Sequence, residues 1–130
     1  MMATFRAGAR SADGYFALPK TEKGPGVLVL HAWWGLTGFF KSFCDRLADQ
    51  GFVSLAPDLY HGATASTVEE AKTLRSKLKS TVVAKEVTGA LEYLNSHSAV
   101  TRDKAGVVGF SLGAYYALGL AVLKPNDISA

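Results

Sequence analysis

The sequence predicts an α/β protein: a mostly parallel sheet with helices on both faces and an N-terminal antiparallel hairpin. Three observations carry that expectation. Val27-Leu28-Val29-Leu30 is an unbroken β-branched and leucine run, the mark of a parallel strand covered on both faces. Strand-like runs alternate along the chain with segments of helical apolar spacing, the pattern that encodes parallel sheets with crossover helices. Finally, Gly109-Phe110-Ser111-Leu112-Gly113 joins an apolar strand to a long apolar helix.

In chain order, Ala3 to Ala9 and Tyr15 to Leu18 flank Asp13-Gly14, a turn dipeptide, so the hairpin is expected to turn there. Lys20 to Pro25 is a charged linker containing glycine and proline. After the Val27–Leu30 strand, His31 to Gly38 is a loop with two tryptophans. Phe39, Phe43 and Leu47 recur at helical spacing, and Gly51 closes that helix where a left-handed residue is wanted. Phe52 to Ala56 is the next strand, and Asp58 to Ala65 is loop. Ser66 and Thr67 each have a glutamate three residues on, a capping-box signal for a helix with Val68, Ala71, Leu74 and Leu78 as its apolar stripe. Its lysines and Arg75 read as a solvated face. A second helix, Thr81 to Asn95, carries Val83, Val87, Leu91 and Leu94 in register. Ala105 to Phe110 then reads as a buried strand, and Leu112 to Leu123 as a buried helix with Pro125 just past its end.

Composition narrows the function classes. Of the 130 residues, 48% are hydrophobic, which suits one domain with a core. A net charge of +3, dispersed along the chain, argues against a nucleic-acid surface. Cys44 is the single cysteine, which excludes an intrachain disulfide and makes a reducing compartment, the cytoplasm, the expectation. No run has the length and apolarity of a membrane helix. The histidines lack metal-ligand spacing, so neither metal nor cofactor is expected. Without Gly-x-Gly-x-x-Gly or a Gly-Lys-Ser/Thr ending, a phosphate-loop reading of Gly109 to Gly113 has little support.

A serine at a strand-to-helix junction, with glycine two places before and two after, is the nucleophile-elbow pattern. The turn is so sharp that main chain crowds both flanking positions, where only a residue without Cβ fits. Gly109 and Gly113 are therefore expected against backbone, with Ser111 strained at the C-terminal edge of the sheet. There the Leu112 amide, at a helix N-terminus, faces any anion formed on a substrate that Ser111 attacks. Ligands of such sheets collect at this edge. The loops opening at His31 and running from Asp58 to Gly62 reach it too, whereas Asp103 lies at the opposite edge.

Together, His31-Ala32-Trp33-Trp34-Gly35, Pro57-Asp58-Leu59-Tyr60-His61-Gly62, and Gly109 to Gly113 followed by Ala114-Tyr115-Tyr116-Ala117 resemble the dienelactone hydrolase family of α/β-hydrolases. The likeness runs in order and spacing over most of the chain. It implies an α/β-hydrolase-type fold and hydrolysis of small esters or lactones through a serine acyl-enzyme. By position, it makes Ser111 the nucleophile, the backbone amides of Trp33 and Leu112 the oxyanion hole, and Trp34, Tyr60 and Tyr115 walls of the substrate pocket. His31 and His61 read as loop-shaping, the His31 ring bonding a backbone carbonyl near the hole.

Three positions depart from dienelactone hydrolase itself. Its nucleophile is cysteine, where this chain has Ser111; Ala32 stands where it has a glutamate; and its carboxylate-binding arginine has no match at Gly62. The family order is nucleophile, acid, histidine, yet Asp127 is the only acid after Ser111 and no histidine follows. Residues 1–130 are thus expected to be the N-terminal part of one α/β-hydrolase domain with its C-terminal strands missing. Alone, such a piece is expected to be inactive and to self-associate or pair with the missing half. A base from within, His61 with Asp58, would be unprecedented for the fold. The alternative function is a non-catalytic binding or assembly module derived from a hydrolase.

Overall fold

In the computed structural model, which describes residues 1–130, the apolar run Val27-Leu28-Val29-Leu30 becomes β3 (Gly26–Leu30), parallel to a strand on either side. One neighbour is β4 (Val53–Pro57) and the other β5 (Gly106–Gly109). Beyond β4 lie β2 (Arg10–Ala17) and β1 (Met2–Ala7), both antiparallel, giving the order β1-β2-β4-β3-β5. Side chains alternate between the faces, as the pleat requires. Leu28, Leu30 and Leu55 join a core with α3 (Ser80–Ser96), while Val29 and Ala56 join a second core with α1 (Gly38–Asp49). Helix α4 (Leu112–Leu123) packs through Leu120 on the α3 side, and α2 (Val68–Ser76) precedes α3.

The hairpin differs from the sequence expectation. Ala7 pairs with Arg10, so the turn is Gly8-Ala9, and Asp13-Gly14 lies inside β2 opposite Thr4 and Ala3. Gly8, at φ +68°, supplies the positive φ that a two-residue hairpin loop wants at its first central position. Gly14 answers a different need: a Cβ there would sit 2.8 Å from the Ala56 carbonyl oxygen of the adjacent β4. Asp13 accepts a hydrogen bond from Thr4 Oγ1 across the pair at 2.7 Å.

Helix α1 ends as expected. With Gly51 at φ +96°, the amides of Gly51 and Phe52 donate to the carbonyls of Ala48 and Leu47, both at 3.0 Å, a Schellman closure. Its buried face, however, is Phe40, Cys44 and Ala48, one residue on from the predicted stripe. Spacing reports a period but leaves the phase open when apolar residues adjoin. Phe39 is left exposed, edge-on to Phe40 and Phe110.

The capping signal before α2 is real: Thr67 Oγ1 accepts from the Glu70 amide at 3.1 Å and donates to the Glu70 carboxylate at 3.0 Å. Of its stripe only Ala71 is buried. In α3, Val83, Val87, Leu91 and Leu94 are all buried, as read from the sequence.

The last strand and helix are less covered than their apolarity suggested. Residues of β5 are half-buried throughout, with β3 on one flank. On the other flank the chain only begins to pair: Ala105 bridges Ile128 in parallel, and Val107 donates to the Ala130 carbonyl at 2.9 Å. Along α4 only Gly113 and Leu120 are buried, while Tyr115, Leu118, Val122 and Leu123 are exposed. No helix is long and apolar enough to cross a membrane.

Candidate active site

Ser111 stands between β5 and α4 at φ 56°, ψ −107°, a backbone conformation that L-residues adopt only where the surroundings impose it. The constraint comes from its flanking glycines. A Cβ on Gly109 would overlap the Gly113 carbonyl and come within 2.6 Å of the Ala114 nitrogen. A Cβ on Gly113 would overlap the Leu30 carbonyl oxygen and lie 2.7 Å from that of His31. The elbow thus rests on the end of β3, where the Phe110 amide also donates to the Leu30 carbonyl at 3.1 Å. The Ser111 hydroxyl is exposed and makes no hydrogen bond within the chain.

The same contact brings the His31 loop to the elbow. Ala32 to Gly35 is a turn: the Gly35 amide donates to the Ala32 carbonyl at 3.1 Å, and Gly35 has φ +92°. Trp33 and Trp34 are its central residues, half-buried and edge-to-face with ring centroids 5.8 Å apart. Neither the Trp33 amide nor the Leu112 amide donates a hydrogen bond within the chain. One free donor therefore sits in the loop and one in the elbow. The Ala65 amide donates to the Trp34 carbonyl at 2.9 Å and ties this loop to the one after β4.

His31 is fully buried. Its Nδ1 lies 2.7 Å from the Ala32 carbonyl oxygen, and its Nε2 accepts from the Leu59 amide at 3.1 Å. Burial pushes its pKa below the usual histidine value, against opposing pulls from the Ala32 carbonyl and Asp58. Below pH ~6.5 the unfolded chain then binds a proton that the folded one resists, so stability should decline with acidification from that point. Urea midpoints from pH 7.5 down to 5 check this; the decline should shrink in His31→Gln, and an equal decline in both proteins would refute the assignment.

The loop after β4 is organised by Asp58. Its carboxylate accepts from the Tyr60 amide at 3.2 Å and the Gly62 amide at 2.7 Å, with His61 at φ 52° between them. His61 Nε2 meets Glu86 Oε2 at 2.7 Å. Neither His31, His61 nor Asp58 bonds Ser111, and each is engaged elsewhere. Glu86 was not anticipated. It is 6% exposed on the core side of α3, one carboxylate oxygen lacks a partner, and burial pushes its pKa up while His61 pulls it down. The signal was present: Glu86 falls three residues after Val83 and next to Val87, on the apolar stripe.

The aromatic residues divide. Tyr60 is buried, its ring 5.2 Å from that of His31 and its hydroxyl without a partner. Burial, and then the nearby Tyr116 phenol, push its pKa up, and Arg75 pulls it down. Trp34 belongs to the same loop cluster, but Tyr115 does not. At 71% exposure it lines an apolar groove of 410 Å³ between α3 and α4, with Ala84, Val87, Leu118 and Leu123. Tyr116 lines the same groove and is the α4 tyrosine whose phenol acts on Tyr60. Arg75, read as part of a solvated face, has its guanidinium 5.7 Å from the Trp33 ring centroid.

Similarities to known proteins converge. The sequence model of the dienelactone hydrolase family matches residues 12–130. Protein usf of Aquifex pyrophilus is 33% identical over 135 residues, taking in 99% of this chain and 58% of that protein. Carboxymethylenebutenolidase of Rhodococcus opacus is 27% identical over 113 residues, 85% of this chain and 43% of that one. The solved structure of m3DLH matches with a TM-score of 0.79 at 25% identity, over 93% of this chain and 52% of that chain. The chain spans about half the length of these relatives.

Proposed function

This chain belongs to the dienelactone hydrolase family, and from that premise we propose that it carries the nucleophile and oxyanion hole of a serine hydrolase of small esters or lactones. The observation that carries the proposal is the backbone of Ser111, held at φ 56° by two glycines that admit no side chain. Such strain persists only where surrounding structure enforces it, and here it leaves a hydroxyl exposed at the ligand-binding edge of a parallel sheet.

In the proposed reaction Ser111 Oγ adds to the substrate carbonyl carbon, and the carbonyl oxygen becomes an oxyanion. The unpaired amides of Trp33 and Leu112 donate to it, the latter reinforced by the N-terminal end of α4. Collapse expels the alcohol, or opens the lactone ring, and leaves the acyl group on Ser111 for water to remove. The proton on Oγ needs a base, and the engagement of His31 and His61 with other partners supports a histidine and carboxylate supplied from outside these 130 residues. Trp34 and Tyr60 wall the acyl site in this reading.

The second reading, an assembly module without catalysis, draws on the exposed apolar face of α4 and its groove with α3. Treating the protein with the proposed histidine and carboxylate in place with a fluorophosphonate, and mapping the adduct by mass spectrometry, separates the two. Modification of Ser111 alone is expected. An intact, folded protein that stays unmodified would overturn the hydrolase in favour of the module.

A further inference from the structure

We propose that His31 is a positioning residue for the oxyanion hole, fixing the Trp33 amide by gripping the carbonyl at the other end of the same peptide group. The inference rests on the hydrolase reading above and goes beyond it, because it assigns a catalytic consequence to a residue that touches neither substrate nor nucleophile.

A carbonyl oxygen only accepts, so His31 Nδ1, 2.7 Å from the Ala32 oxygen, must carry its proton. A backbone amide only donates, so Nε2, 3.1 Å from the Leu59 nitrogen, must be bare. The two partners select a single neutral tautomer. They also oppose the imidazolium, whose Nε2–H would point at the Leu59 N–H. Complete burial of the ring acts in the same direction.

The Ala32 carbonyl and the Trp33 N–H belong to one planar trans peptide, so they point in opposite directions and rotate together. Holding the carbonyl fixes the amide. The carbonyl is held twice, by His31 Nδ1 and by the Gly35 amide at 3.1 Å, and the Trp33 amide opposite makes no bond inside the chain. A donor with one free position and a clamped peptide plane is preorganised, and preorganisation gives an oxyanion hole its advantage over water. Through Nε2 the same ring ties this peptide to the loop after β4, where Asp58 caps the Tyr60 and Gly62 amides. The two loops at the catalytic edge are thereby fastened to each other by one side chain.

Two measurements test this on the protein that also carries the proposed histidine and carboxylate. Nitrogen-15 NMR of histidine-labelled protein should show His31 neutral at pH 6.5 with the proton on Nδ1; a proton on Nε2, or an imidazolium, would overturn the proposal. Reaction of Ser111 with a fluorophosphonate, and hydrolysis of an aryl ester, should slow about 10- to 100-fold in His31→Ala, with KM little changed. That is less than the loss of an oxyanion donor itself, because the Gly35 amide still holds the carbonyl. In His31→Gln, whose side-chain amide can again donate to Ala32, part of the rate should return; this variant also serves if the alanine protein fails to fold. A folded His31→Ala protein reacting at the wild-type rate, or a folded His31→Gln protein no faster than His31→Ala, defeats the positioning role. Wild-type protein with the Nδ1–H tautomer but an inert Ser111 defeats the hydrolase reading instead, and this inference falls with it.

Discussion

With the proposed histidine and carboxylate in place, replacing Ser111 by alanine is expected to abolish turnover of small aryl esters, by about four orders of magnitude or more in kcat, as loss of a nucleophile does in triad hydrolases. The fold should survive, because the Ser111 hydroxyl makes no hydrogen bond whose loss would strand a partner. Alanine keeps the Cβ, and so keeps the strain at φ 56°. Ser111→Gly removes both hydroxyl and strain, and should unfold at higher urea than Ser111→Ala by about 1 kcal/mol. Inactivity accompanied by a gain in stability is the signature of a residue kept for chemistry at the expense of backbone comfort. Initial rates and urea titrations of the three proteins check it. An alanine variant retaining more than a few per cent of wild-type kcat would mean that another group, or water directly, attacks the substrate.

Much of this was legible because the relevant constraints are local. The unbroken run of β3, the Schellman glycine at Gly51 and the N-cap at Thr67 each depend on neighbours within a few residues, and each formed where the sequence placed it. The elbow was legible through its spacing, two glycines within five residues of each other, although Gly113 answers to the distant carbonyls of Leu30 and His31. What failed to show depends on phase or on distant partners. Asp13-Gly14 has the composition of a turn, but Gly14 answers to β4, over forty residues away in sequence. Phe39 and Phe40 adjoin, and only packing against Phe110 and the sheet decides which faces inward. Apolar residues occupy nearly every side of α4, so spacing there gives no phase either. Glu86 and Arg75 are charged residues whose roles arise from His61 and Trp33, supplied by other elements.

Gly113→Ala and Gly119→Ala put the same methyl group into the same helix, and their effects should have opposite signs. Both glycines lie within α4, neither has a positive φ, and in an isolated helix each change would be favourable by about 1 kcal/mol. At Gly119 nothing lies within 4 Å of the added Cβ, so that gain should appear almost undiminished as a higher urea midpoint. At Gly113 the Cβ would overlap the Leu30 carbonyl oxygen and approach the His31 carbonyl to 2.7 Å. Those atoms are backbone, at the end of a strand paired on both sides, so no rotamer change relieves the clash. The elbow must then lift from β3, at a net cost of about 2–4 kcal/mol. Activity should fall further than stability. The lifted helix would carry the Leu112 amide away from the His31 loop, whose Trp33 amide is its proposed partner, and the loss of one donor costs about a hundredfold or more in kcat. Equal midpoints for Gly113→Ala and wild type would show that the elbow does not rest on β3, and the proposed pairing of the two amides would fail with it.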